Sequence, residues 1–312
     1  MAGPQNGSAP PRTNGAVSSA AAASPNELEA VCRELKAKVD TFLDTPTEDE
    51  VLNSVKNQII IARGVIDEAL RRYRPDQLSL SYNGGKDCLV LLILILASLP
   101  SSSCLQSSSS TTTQSSPPLQ QQPPPSSSSS ATTTDPPTPF PTRLQALYIR
   151  PPLPFAEVDD FVATTTAAYH LDLATSDNKA MKPALTAYLR DRPDVRAVFV
   201  GTRRTDPHGA DLTFFDETDA GWPRFMRVHP VIDWHYREVW GFIRALGIPY
   251  CPLYDKGYTS LGGTDDTHPN PALKEGDETS SRSSSSSKAD GLHFRPAYEL
   301  TEDREERLGR DR

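Results

Sequence analysis

The sequence predicts an α/β fold, a parallel sheet covered by helices on both faces. Three observations lead there. After Pro75 the chain alternates short aliphatic or β-branched stretches with stretches of helical period, and parallel strands need crossovers long enough to hold a helix. The run DCLVLLILIL, Asp87 to Leu96, is apolar nearly throughout, as in a helix buried on all sides. The segment VRAVFVG, Val195 to Gly201, has the composition of a strand with both faces covered.

Two helices precede the sheet. Ser24-Pro25-Asn26-Glu27 and Thr45-Pro46-Thr47-Glu48 each set a hydroxyl, a proline and a glutamate in capping-box order. Leu28, Val31, Leu35, Val39 and Phe42 line one face of the first helix, and Val51, Val55, Ile59, Ala62 and Ile66 one face of the second. Next come a strand at QLSLS, the buried helix, a strand at RLQALYI, a helix at FAEVDDFVATTTAAYH, a short strand at LDLAT and a helix at KAMKPALTAYLRD, before the strand at VRAVFVG. Asp233 is read as the cap of a last helix, WHYREVWGFIRALG, which buries Tyr236, Val239, Trp240, Ile243 and Leu246 and stops at Gly247. Sheets of this kind bind ligands beyond the carboxyl ends of their strands.

Only 37% of the 312 residues are apolar, a low share explained by biased segments. Residues 98–142 are Ser, Thr, Gln and Pro with Asp135 the single charge before Arg143, and 276–289 are Ser-rich; both read as disordered insertions in surface loops. Residues 1–23 read as a disordered start, and 24–310 as a single domain with about 230 residues outside the insertions. With 32 basic and 40 acidic residues the net charge is −8, which argues against a nucleic-acid partner. Cys32, Cys88, Cys104 and Cys251 stand far apart, against a zinc cluster or a disulfide framework. The amino-terminal stretch lacks the apolar core of a secretory signal, and the run after Asp87 is too short to span a bilayer. A cytoplasmic protein with no membrane association and no obligate protein partner is expected.

The stretch SYNGGKD, Ser81 to Asp87, lies where the first strand of the sheet ends and a helix begins. Glycines let the backbone turn tightly, and amides at a helix start face an anion with the positive end of the dipole. Lys86 adds a point charge suited to phosphate, and Asp87 is placed to hold a metal ion or to orient the loop. The spacing is neither Walker A nor GxGxxG. Here the chain resembles the PP-loop ATP pyrophosphatase superfamily, whose SGGxD-type loop grips the pyrophosphate end of ATP, with Asn83 before the glycines and Cys88 where many members have serine.

A second cluster follows the strand that ends at Gly201. Arg203 and Arg204 offer planar donors for phosphate oxygens, Asp206-Pro207 fixes a turn, and Asp219, Trp222, Pro223, Phe225, Met226 and Arg227 supply flat apolar surface with an acidic and a basic handle. This block, with LYDKGYTSLGGTDDTHPNPAL after it, resembles the fungal FAD synthases (FMN adenylyltransferases) of the PAPS reductase-like branch, over about Gln77 to Arg310. The resemblance implies a PP-loop, adenine nucleotide alpha hydrolase-like fold and an enzyme that adenylates FMN with ATP and Mg²⁺, giving FAD and pyrophosphate. It implies ATP contacts at Ser81, Tyr82, Asn83, Gly84, Gly85, Lys86, Asp87, Gly201, Arg203 and Asp206. It implies flavin contacts at Arg204, Asp206, Asp219, Trp222 and Arg227, catalytic roles for Asn83, Lys86, Asp87, Arg307 and Arg310, and Asp87 as metal contact, with Asp206 also credible. Phe155 and Glu157 are further flavin neighbours on the same analogy, although YIRPPLPFAEVDDF departs from the family pattern.

Two other readings stand beside this one. A PAPS or adenylyl-sulfate reductase would need a nucleophilic cysteine in the carboxyl-terminal segment, and none follows Cys251. A non-catalytic nucleotide-binding interaction protein would use the Ser/Thr/Pro/Gln tracts to recruit partners.

Overall fold

The computed structural model describes residues 25–99, 140–178, 180–275 and 293–311. The expected disordered start, nearly all of both expected insertions, and the Ser24 cap lie outside the described residues.

Helices α1 (Pro25–Asp44) and α2 (Glu50–Arg72) form where the apolar spacing places them. Leu28, Leu35, Val39, Val55, Ile59, Ala62 and Ile66 are buried, while Val31, Phe42 and Val51 sit at the rim. The start of α2 differs from expectation. Asp49, not Thr45, is its cap: the Asp49 carboxylate accepts from the Val51 and Leu52 amides at 2.8 and 3.0 Å. Pro46 cannot donate and Thr47 is turned back to accept from the Asp49 amide, so the helix begins one turn later.

The sheet has six strands in the order β3-β2-β1-β4-β6-β5. These are β1 (Leu78–Ser81), β2 (Leu144–Ile149), β3 (Leu171–Ser176), β4 (Ala197–Phe199), β5 (Phe215–Glu217) and β6 (Met226–Val228). All neighbours run parallel except β5, which is antiparallel to β6. Strands β5 and β6 were not expected. Each is three residues long, too short for a two-residue period to show, and β6 exists because Ala197 to Phe199 offer it a register from Met226 to Val228.

Helix α3 (Lys86–Ser98) lies against the sheet, and every side chain from Leu89 to Leu96 is wholly buried. At about 1.5–3 kcal/mol per large apolar side chain, that burial holds the start of α3 rigidly in place. Helices α1 and α2 cover α3 in turn, together with α6 (Tyr236–Ala245). The α3 side also takes α4 (Ala156–Ala168), whose Val158, Phe161 and Val162 join the main core. The opposite face is covered by α5 (Met181–Asp191), whose Leu185 and Tyr188 meet Leu147 and Val198 in a second, smaller core. The cap of α6 is also displaced from its expected position. His235 stands at the cap with Glu238 reaching back to its amide at 2.6 Å, while Asp233 is held by Arg204 at 2.7 Å.

Candidate active site

The strand order reverses at β1. The chain proceeds outward through β2 and β3, then returns to place β4 on the other side of β1. The crevice beyond the carboxyl ends of β1 and β4 is the switch point at which open α/β sheets bind ligands. Two cavities open there, of about 240 Å³ and 320 Å³, and Ser81, Val200 and Thr202 line both. The loop after β1 and the segment after β4 therefore line adjoining cavities.

The smaller cavity is polar. Ser81, Asn83, Gly85, Lys86, Asp87, Gly201 and Asp206 line it, and so do Arg307 and Arg310 from the carboxyl-terminal segment. Gly84 has φ +73°, which only glycine adopts freely, and a Cβ there would lie 2.9 Å from Val162. Gly201 lets β4 approach the first turn of α3, since a Cβ would lie 2.9 Å from the Cys88 amide nitrogen. The loop is already partly bonded within the protein. The Gly85 amide donates to Asn83 Oδ1 at 3.0 Å and the Lys86 amide to the Tyr254 hydroxyl at 2.8 Å. Asn83 Oδ1 also accepts from Cys88 Sγ, and burial pushes that thiol up to about 12. Strand alternation sends Tyr82 away from the cavity, where its hydroxyl meets Thr165 of α4 at 2.8 Å; the expected ATP contact is replaced by a core contact.

Beneath the cavity lies a buried ion network. Asp87 meets Lys86 Nζ at 2.9 Å and Arg203 Nε at 2.8 Å, and the Glu306 carboxylate bonds Lys86 with one oxygen and Arg203 with the other. Burial alone would depress the Lys86 ammonium, yet Asp87 and Glu306 more than offset it and hold the group above the ordinary lysine value. Burial likewise opposes ionisation of Asp87, and Arg203 and Lys86 overcome it, holding its carboxyl below the usual range. Asp303, one turn before Glu306, accepts from the Tyr236 amide at 2.6 Å and the His235 ring at 2.7 Å, satisfying the start of α6. The carboxyl-terminal segment is thus stapled to α6 and to the loop, which presents Arg307 and Arg310 to the cavity.

Both arginines after β4 depart from expectation. Arg203 is fully buried, lines neither cavity and is spent on carboxylates rather than open to phosphate. Arg204 lines neither cavity; it is half-exposed and ties Asp233 to the carbonyls of Ala210 and Leu212. Asp206 lines the polar cavity while one carboxylate oxygen accepts the Arg203 amide at 2.8 Å, and its carbonyl accepts the Gly209 amide at 2.9 Å across the expected Asp206-Pro207 turn.

The larger cavity is apolar, with Leu147, Ile149, Leu185, Val198, Trp222 and Phe225 among its walls. Asp219, Arg227 and His229 stand among them as polar groups. Asp219 is mostly exposed, and Arg227 is held by the Glu217 carbonyl at 2.9 Å. Phe155 and Glu157, by contrast, line neither cavity: Phe155 meets Tyr258 edge-on and Glu157 pairs with Lys256.

Comparison with known proteins shows the family. A phosphoadenosine phosphosulfate reductase domain model matches residues 178–269. The chain is 34% identical over 286 residues to a probable FAD synthase of Schizosaccharomyces pombe, covering 92% of this chain and 89% of that one. The chain belongs to the FAD synthase family. It is also 33% identical to a probable FAD synthase of Caenorhabditis elegans, of whose length it spans 39%. A Candida glabrata FMN adenylyltransferase, solved with FMN and an ATP analogue, superposes with a TM-score of 0.72 at 25% identity, covering 93% of this chain and 98% of that one. The fold is accordingly that of a PAPS reductase-like FAD synthase.

Several residues of this candidate site were not singled out from the sequence. Glu306 and Asp303 lie in TEDREERLGRDR, which has the composition of a solvated tail, and nothing in it marks Glu306 as buried. Tyr254, whose hydroxyl holds the Lys86 amide, sits in a five-residue 3₁₀ helix, Pro252–Lys256, too short to carry a period. The apolar walls Leu147, Leu185 and Val198 were read only as parts of the strands RLQALYI and VRAVFVG and the helix KAMKPALTAYLRD.

Proposed function

We propose that this chain transfers AMP from ATP to FMN, giving FAD and pyrophosphate. The observation that carries the reading is the shared wall: a polar, arginine-bearing cavity at a helix start adjoins, across Ser81, Val200 and Thr202, an apolar cavity bearing Trp222. A triphosphate and a flat ring need such neighbours. The cavities take the phosphates at residues 81–87 and the isoalloxazine along Asp219, Trp222 and Arg227.

The chemistry asks for alignment and charge neutralisation, because the FMN phosphate already carries a nucleophilic oxygen. That oxygen attacks the α-phosphorus in line and pyrophosphate departs. Lys86, the dipole of α3, Arg307 and Arg310 meet the charge that grows on the leaving group. Arg307 has no side-chain partner among the described residues and is open to an incoming phosphate. Asn83 acts by bracing the loop through Gly85 and Cys88, and its side-chain carbonyl is spent there.

Among the described residues no three acidic, histidine or cysteine side chains gather as a metal cage. The donors fit a Mg²⁺ ion carried on phosphates, with Asp87 or Asp206 as the protein contact, since that ion commonly takes one or two carboxylates and fills its shell with phosphate oxygen and water. When bound it supplies neutralisation between the phosphates. No helix among the described residues is long and apolar enough to cross a membrane. We propose the cytoplasm as the place of the reaction. Incubation with FMN, ATP and Mg²⁺ followed by chromatography tests the reading: FAD should accumulate only with all three, and its absence refutes the assignment.

A further inference from the structure

We propose that the turn from Gly262 to Asp266 is the seat that aims Arg310 into the phosphate cavity, with Gly262 and Asp266 as positioning residues for adenylyl transfer. The inference rests on the reading that Arg310 meets phosphate there. Arg310 Nη2 donates to Asp266 Oδ2 at 2.8 Å. The other Asp266 oxygen accepts from the Gly263 amide at 3.0 Å and the Thr267 hydroxyl at 2.7 Å, so the carboxylate cannot swing to follow the arginine. Main-chain contacts fasten the same two segments: Asp311 donates to the Asp266 carbonyl at 3.0 Å, and His268 to the Gly309 carbonyl at 2.8 Å.

Gly262 supplies the floor. A Cβ built there would fall 2.6 Å from Arg310 Nη1 and closer still to Cζ and Nη2, so the flat face of the guanidinium rests on the glycine. The backbone does not require glycine, because φ at this position lies outside the left-handed region. What an alanine methyl would meet is the end of a flexible side chain rather than main chain. Gly262→Ala should therefore leave the fold intact and push the guanidinium away by roughly 1 Å, toward ordinary carbon contact distance. Nη1 makes no hydrogen bond among the described residues, so the fork keeps a donor for phosphate oxygen while Asp266 holds its other tip. A displacement of about 1 Å in a group that must meet a transferring phosphoryl can cost on the order of 10²-fold in rate.

The test is a mutant cycle on the full chain, read as FAD formation at saturating FMN and ATP, with thermal melting beside it. Arg310→Ala should lower kcat strongly. Gly262→Ala should lower kcat roughly 10–100-fold with a melting temperature close to that of the parent, and the double variant should be no slower than Arg310→Ala alone. Asp266→Asn, which keeps the turn's shape and removes the charge that grips Arg310, should repeat the pattern; it decides the matter if Gly262→Ala melts early. If Arg310→Ala is slow while Gly262→Ala and Asp266→Asn turn over like the parent, or if their losses multiply with that of Arg310→Ala, the seat is refuted. If Arg310→Ala itself is as fast as the parent, the reading of the phosphate cavity fails instead.

Discussion

Replacing Glu306 by glutamine removes one charge from the network below the phosphate cavity and leaves the volume unchanged. In the parent, Glu306 faces Lys86 with one oxygen and Arg203 with the other, and both cations are buried. The amide keeps one acceptor but turns donor hydrogens toward the second cation. Breaking a buried pair on one side costs about 3–5 kcal/mol, because the charge left behind has no water to return to. Asp87 still meets Lys86 at 2.9 Å and Arg203 at 2.8 Å, which places the expected loss at the low end, about 3 kcal/mol. At a urea m-value of about 3 kcal/mol/M that loss lowers the unfolding midpoint by roughly 1 M. Lys86 is held above its ordinary value, so its contribution is complete below about pH 10.4 and fades only as pH rises through the higher folded value. Urea unfolding at neutral pH, followed by tryptophan fluorescence, therefore reads the full penalty. A loss below about 1 kcal/mol, the worth of an exposed pair, would refute the claim that this carboxylate is a buried anchor.

Other outcomes follow from the same geometry. Asp219→Ala should weaken FMN binding and leave ATP binding nearly unchanged in fluorescence titration; equal losses would remove Asp219 from the ring slot. Gly201→Ala should destabilise by about 1–3 kcal/mol, because the new Cβ would lie 2.9 Å from the Cys88 amide nitrogen and main chain cannot step aside; an unchanged melting curve would contradict that close approach. Burial holds His229 below the ordinary imidazole value against the pull of the Thr213 carbonyl and Asp216. The unfolded chain then takes up a proton first as pH falls below about 6.5, so stability drops from there toward the depressed folded value. His229→Gln should flatten that slope in melting curves between pH 7.5 and 5, and an unaltered slope would rule the residue out as its source.

The parts of the fold with a long period were legible in the sequence. The amphipathic faces of α1 and α2 and the apolar run of α3 carry several turns of signal, and β1 to β4 lie in short stretches rich in aliphatic or β-branched residues. Strands β5 and β6 escaped because, unlike the equally short β4 in its apolar run, FDE and MRV sit among polar and charged residues, and the pairing of β6 depends on a neighbour 29 residues away in sequence, as for Ala197 and Met226. The caps of α2 and α6 were misplaced for a local reason. Several oxygen-bearing side chains stood near each start, and geometry chose Asp49 and the His235–Glu238 pair. At the site, the loop at 81–87 was visible because glycines, lysine and aspartate at a strand end have few other uses. The burial of Arg203 was not, because its partners Asp87 and Glu306 are 116 and 103 residues distant along the chain. Charge in a sequence does not reveal whether it will be spent on ligand or on protein.

The central claim is that the two cavities at the β1–β4 switch point hold both substrates at once. A crystal structure of the full chain with FMN and a non-hydrolysable ATP analogue measures it directly. The account predicts the isoalloxazine against Trp222, the β- and γ-phosphates at residues 81–87, and the FMN phosphate oxygen roughly 3–3.5 Å from the α-phosphorus, as a near-attack arrangement requires. Phosphates seated away from Lys86 and Arg310, or a flavin outside the slot, would contradict it.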